Sequence, residues 1–149
     1  MLEAIRITIT AYTASFRVPH FVGHQLTLTV PPLSTIYGLI SAAAGRWISP
    51  GEVEWLAYRC EYESKAMDTE TIVQIERKKE DQTPQPRKPP ETFAVIQREF
   101  LVMPRLTLYL PPEWESIFRC PRYSLLLGRT QDVATVEEVK HISLNPVQD

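Results

Sequence analysis

Cysteine is nearly absent from this chain of 149 residues: Cys60 and Cys120 stand far apart, which suits neither a zinc site of the CxxC kind nor a secreted disulfide framework. Two free, reduced thiols are expected. No apolar run reaches the ~18 residues that a membrane span needs, and residues 1–20 lack a signal-peptide pattern. A cytoplasmic protein without membrane contact is therefore expected. An excess of positive charge is missing too. The formal net charge of -2 makes the surface as a whole no trap for polyanions, so nucleic-acid binding would have to come from local clusters. A strong catalytic constellation is also lacking. His20 and His24 sit in a loop with no nearby carboxylate, weak both as metal ligands and as an acid/base pair. Lys140 and His141 are neighbours on a strand and point to opposite faces. No internal repeat is visible, and no metal or cofactor is expected.

What is present fits one globular domain over residues 1–149: 44% of the residues are hydrophobic and 23% charged, enough to bury a core. Thirteen prolines exceed the usual ~5%, and four of them fall in Thr83 to Pro90, marking a loop there. Residues 4–12 alternate Ile5, Ile7, Ile9 and Ala11 with Arg6, Thr8, Thr10 and Tyr12, the period of a half-buried strand. From Ser34, a candidate N-cap, Ile36, Leu39, Ile40, Ala43 and Trp47 recur at helical spacing and read as core. Ser49-Pro50-Gly51-Glu52 has the form of a capping box with proline at the first helical position.

Leu56, Tyr58, Cys60 and Tyr62 alternate with charged and small residues as a second strand. Thr71 to Arg77 and Thr92 to Met103 bracket the proline-rich stretch as a long hairpin, an arm at about residues 70–103. Leu106, Leu108 and Leu110 form a further strand, Pro111 to Phe118 a short helix and Val133 to Leu144 a last strand. The order approximates βαββαβ with an inserted arm: an α+β, ferredoxin-like layout. That layout alone names no function.

The stretch Thr13 to Gly45 joins a polar loop to a small-residue helix. Phe16, Arg17, His20, Phe21 and His24 form a cationic and aromatic set, and a helix start at Ser34 and Thr35 attracts phosphate. Arg17 could hold a phosphate while Phe16 stacks on a base, or Phe16 could anchor the core beside a solvated Arg17. Tyr37, Gly38 and Gly45 on the helix would allow either a close RNA backbone or plain packing on the sheet. Two basic clusters complete the candidates. Arg77, Lys78, Lys79, Arg87 and Lys88 flank the arm's proline-rich tip among diluting carboxylates, either as an RNA clamp or as a solvated tip. Arg119, Arg122 and Arg129 surround Gly128, which would let the chain turn tightly beside a phosphate.

Phe16-Arg17-x-Pro19, then Pro31-Pro32-x-Ser34-Thr35-Ile36-Tyr37-Gly38-Leu39-Ile40 and Gly45, resemble the N-terminal signature of the CRISPR-associated Cas-five family of RAMP proteins. A looser likeness covers Arg98 to Leu110 and the Leu-Gly-Arg turn within Leu126 to Val136. The resemblance implies an RNA-recognition-like core with a β-hairpin thumb, and a family C-terminal part missing from this chain. It also implies a function in antiviral defence: a Cascade subunit that binds the 5′ handle of the guide RNA and caps the effector complex. Its implied partners are the guide RNA, the backbone subunit, the large subunit and, in the assembled complex, target DNA. Some relatives cleave the guide precursor with a Tyr, Lys and His set. Here the matching strand offers Arg98-Glu99, so binding without cleavage is expected, with endoribonuclease activity as the alternative.

Overall fold

Ile5, Ile7 and Ile9 make one face of strand β1 (Leu2–Ala11) wholly apolar, and all three are fully buried. The computed structural model describes residues 1–74 and 92–145. Short bridges follow β1: β2 (Thr13–Ala14), β3 (Phe16–Arg17), β4 (His24–Gln25) and β5 (Thr27–Leu28). Helix α1 (Leu33–Ala44) comes next, and the first of two 3-10 turns, Pro50–Glu52, leads to β6 (Ala57–Glu61). β7 (Ser64–Gln74) and β8 (Thr92–Val102) form the arm; β9 (Arg105–Leu110), the second 3-10 turn (Pro112–Trp114), α2 (Glu115–Arg119), β10 (Leu125–Leu126) and β11 (Val133–Leu144) complete the chain.

One sheet runs β10-β11-β1-β9-β6, antiparallel at every pairing. Without the short β10, this is the order fourth-first-third-second of a ferredoxin-like βαββαβ core. Since β9 lies antiparallel to both β1 and β6, those two run parallel, and α1 is the crossover between them. Leu106, Leu108 and Leu110 of β9 stand opposite Ile9, Ile7 and Ile5, and the combined apolar face packs with Ile36, Leu39 and Ile40 of α1 and Phe118 of α2. Each such side chain taken from water contributes about 1.5–3 kcal/mol, so this layer fixes where both helices lie. The α+β layout expected from the order of strands and helices is the one observed.

The arm departs from the main sheet just after β6. Glu63 donates its N–H to the Val102 carbonyl (3.0 Å), and β7 then pairs with β8 from Ser64↔Val102 to Gln74↔Thr92. Its first strand therefore begins at Ser64, earlier than the expected Thr71. Ser64 to Glu70 show no apolar alternation, and each residue of that run is exposed or half-buried. Arg77, Lys78, Lys79, Arg87 and Lys88 lie outside the described residues.

Helix α1 also differs from its sequence pattern at both ends. Its N-cap is Pro32, with no side-chain cap, and Ser34 lies inside the first turn. At the other end Gly45 adopts the left-handed conformation (φ 74°) as C-cap, its N–H bonding to the Ser41 carbonyl at 2.9 Å. The chain leaves the helix there. Trp47, expected in the core by spacing, is 81% exposed. The capping box at Ser49 is present, with the Ser49 N–H donating to Glu52 Oε1 (2.8 Å), but it starts only the 3-10 turn.

Candidate nucleic-acid interface

The last carbonyls of α1 are capped by a distant segment. Arg122 N–H donates to the Ala43 carbonyl (2.9 Å) and Tyr123 N–H to that of Ala42 (3.0 Å), two groups that a helix end would otherwise leave unpaired. Gly45 makes room for this docking. A Cβ there would lie 2.5 Å from Arg122 Cγ, so the stem of Arg122 crosses the helix end where only glycine fits. Arg122 stays exposed, and Tyr123 keeps 61% of its surface in water. Among the described residues no carboxylate forms an ion pair with Arg122. A guanidinium and a phenol on backbone-anchored neighbours suit a phosphate and a stacked base.

These two residues rim a groove of about 590 Å³ whose apolar floor includes Phe118, Leu125, Ala134 and Val139. Arg119 stands on the same rim, its Nε on Glu115 Oε1 (2.5 Å) and one Nη on the Val139 carbonyl (3.3 Å). A second groove of about 270 Å³ runs between α1 and the segment that leads through β10. Thr35, Gly38, Leu39 and Ala42, one face of the helix by their spacing, line it together with Leu126 and Gly128. Ser124 lines both grooves. They adjoin, and an extended chain could pass from one to the other.

Of the residues singled out in the sequence, Thr35, Arg119 and Arg122 meet along these grooves. Others do not. Phe16, the expected stacking residue, is a core anchor only 2% exposed, and its N–H donates to Thr27 Oγ1 (2.8 Å). Arg17 is exposed on the β3–β5 ribbon. His20 is exposed with φ 70°, and His24 faces Gln97 of the arm, Nδ1 to Oε1 at 3.3 Å. Ser34 is exposed in the first turn of α1. Tyr37 donates its hydroxyl to the Pro50 carbonyl (3.2 Å), which fastens the 3-10 turn to the helix.

Arg129, expected at a phosphate, is held inside the protein. It is only 9% exposed and lies among carboxylates, with Asp132 at 3.0 Å, Glu70 at 3.1 Å and Asp68 at 3.3 Å. Burial alone would lower its pKa, but the bonds and charges of Asp132 and Glu70 outweigh that and raise it. No phosphate is needed to satisfy it. Gly128 is likewise explained internally: a Cβ on it would lie 1.9 Å from the Ser15 carbonyl oxygen. Tyr123 was missed in the sequence, although Arg122-Tyr123 repeats the cation-and-aromatic pairing that drew attention to Phe16-Arg17. Among the described residues no group of His, Cys, Asp and Glu side chains could hold a metal, and no helix is long and apolar enough to cross a membrane.

The antiparallel βαββαβ sheet with its inserted hairpin is an α+β, ferredoxin-like fold. A chain of a solved CRISPR RNA-guided surveillance complex superposes on it with a TM-score of 0.61 at 20% identity, covering 85% of this chain and 58% of the solved one. That likeness establishes the fold. A functionally uncharacterized protein from Streptococcus mutans covers 92% of this chain and 66% of its own, at 14% identity and a TM-score of 0.38, too loose to bear on the comparison. This chain thus spans less than two thirds of either solved chain. No family model matches it, and no curated protein matches it significantly.

Proposed function

We propose that this chain is a guide-RNA-binding subunit of a CRISPR surveillance complex, of the Cas-five type, acting in the cytoplasm. It holds the 5′ handle of the guide and caps one end of the assembly, against the backbone subunit and near the large subunit that meets target DNA. The observation that carries the reading is the pair of adjoining grooves with Arg122 and Tyr123 anchored on the end of α1, on a fold shared with a chain of such a complex. Phosphates would run along Arg122 and the start of α1, one base would stack on Tyr123, and the small side chains of α1 would let the RNA backbone approach. The chemistry is recognition without turnover.

The test is fluorescence anisotropy with a labelled repeat-derived RNA at several salt concentrations. Arg122→Ala is expected to weaken binding by about 1–3 kcal/mol if it makes a specific contact, and Arg17→Ala by less. Affinity unchanged in Arg122→Ala, or independent of salt, would sink the assignment. One observation favours the endoribonuclease alternative. His141 Nε2 lies 2.6 Å from Glu115 Oε2, on the carboxylate that also holds Arg119, so a base and a cation stand near the larger groove. Incubation with repeat RNA without metal is expected to leave it intact. A single discrete cut, lost in His141→Ala, would replace binding with cleavage as the function.

A further inference from the structure

Besides the pairing of β8 with β2 and β4, the arm meets the core at one largely covered cation. Arg129 directs Nε and one Nη at the two oxygens of Asp132 (both 3.0 Å), a forked pair, while its other Nη reaches Glu70 Oε1 and Asp68 Oδ2 on β7. Its guanidinium carbon also lies 5.2 Å from the centroid of the Phe100 ring on β8. Two of these partners are tied in turn. Asp132, whose side chain is fully buried, takes the Arg129 N–H (2.9 Å) and the Thr13 hydroxyl (2.6 Å), and Glu70 takes Arg98 Nε (2.8 Å). Both strands of the arm, β2 and the turn between β10 and β11 therefore converge on a single side chain.

The turn that carries Arg129 follows directly on Leu126 and Gly128, which wall the smaller groove. We infer that Arg129 is a positioning residue: it fixes the hairpin arm at a set angle to the groove wall and makes no contact with RNA. The second clause rests on the RNA-binding reading above; the first does not. The cluster holds two cations, Arg129 and Arg98, against three carboxylates, Asp68, Glu70 and Asp132, so it has no positive charge to offer a phosphate. Lysine could not replace the fork, since a point ammonium cannot span Asp132 and Glu70 with the same geometry.

Amide hydrogen exchange on the full chain tests the fastening without RNA. In Arg129→Ala the amides of residues 66–70 and 98–101 are expected to exchange at least about tenfold faster, while those of the β1–β11 ladder change far less, because arm and core open as separate units. Arg129→Lys should fall between the two. Should Arg129→Ala fail to fold, Glu70→Gln weakens the arm-side ion pair with Arg129, and with it the Glu70–Arg98 pair inside the arm, and is expected to loosen the same amides while the β1–β11 ladder stays protected. Uniform acceleration over both sheets, or none at the arm, overturns the inference whatever the RNA result. In the binding assay, Arg129→Ala should leave the salt dependence of RNA affinity at its wild-type slope. A slope reduced by about 0.7, the value of one lost contact to a single strand, would make Arg129 a phosphate ligand and overturn it as well.

Discussion

At Gly128 the chain has φ 114°, and the place of an absent Cβ is taken by the Ser15 carbonyl oxygen, 1.9 Å away. Both the backbone conformation and the contact exclude any other residue. Gly128→Ala should therefore destabilise the fold by about 3 kcal/mol or more, as strain and overpacking add, read as a lower midpoint in urea. Cys60 makes a different test. Burial first, and then the charge of Glu61, push its thiol from 9.0 up to about 11. Because the folded state holds this proton more tightly, its contribution to stability is intact below pH 9.0 and is lost as pH rises to about 11. Cys60→Ala should flatten that part of the alkaline stability curve, and in the native protein Cys120, which is exposed, should alkylate well before Cys60. An alkaline slope identical in the variant would contradict the burial argument.

Elements whose two faces differ were legible in the sequence: β1 and β9 alternate because one face meets the helices, and Val133 to Leu144, despite a bulge in its pairing with β1, matches the observed strand end to end. Strand β7 was legible only in part. Its first half has no apolar alternation and is held by its pairing with β8, which no local pattern records. The candidate site divides in the same way. Thr35, Arg119 and Arg122 could be chosen by residue type, but the meeting of residues 42–45 with 122–124 is a tertiary fact, as is the capture of Arg129 by carboxylates 59 and 61 positions away. Periodicity also carried Trp47 into the core, since hydrophobic spacing does not register that Gly45 has ended the helix. On α1 itself, Gly38 has nothing within 4 Å of where a Cβ would stand. Gly38→Ala should raise stability by about 1 kcal/mol, the helix-propensity gain, yet weaken RNA binding by narrowing the groove. Stabilisation with unchanged affinity would move the RNA path off this helix.

At the scale of the molecule, positive charge among the described residues is mostly paired. On the sheet face away from the helices Arg6 pairs with Glu138 (2.8 Å), Arg105 with Glu137 (3.2 Å) and Arg59 with Glu61 (3.3 Å), and the chain carries a net charge of -2. Arg6 holds the Glu138 carboxyl below its ordinary pKa, so this pairing stands at neutral pH and weakens only in acid, as Glu138 takes up a proton. Those pairs leave that face little free positive charge for RNA, and the proposed reading rests on Arg122 at the groove. The salt dependence measures how many phosphates are held. Each phosphate neutralised on a single strand contributes about 0.7 to the slope of log affinity against log salt, so Arg122 with one further contact should give a slope of about -1.4. Arg122→Ala should halve it, whereas Arg6→Ala should leave it unchanged because its guanidinium is already paired. A slope several times steeper, insensitive to Arg122→Ala, would place the RNA on another surface of the chain.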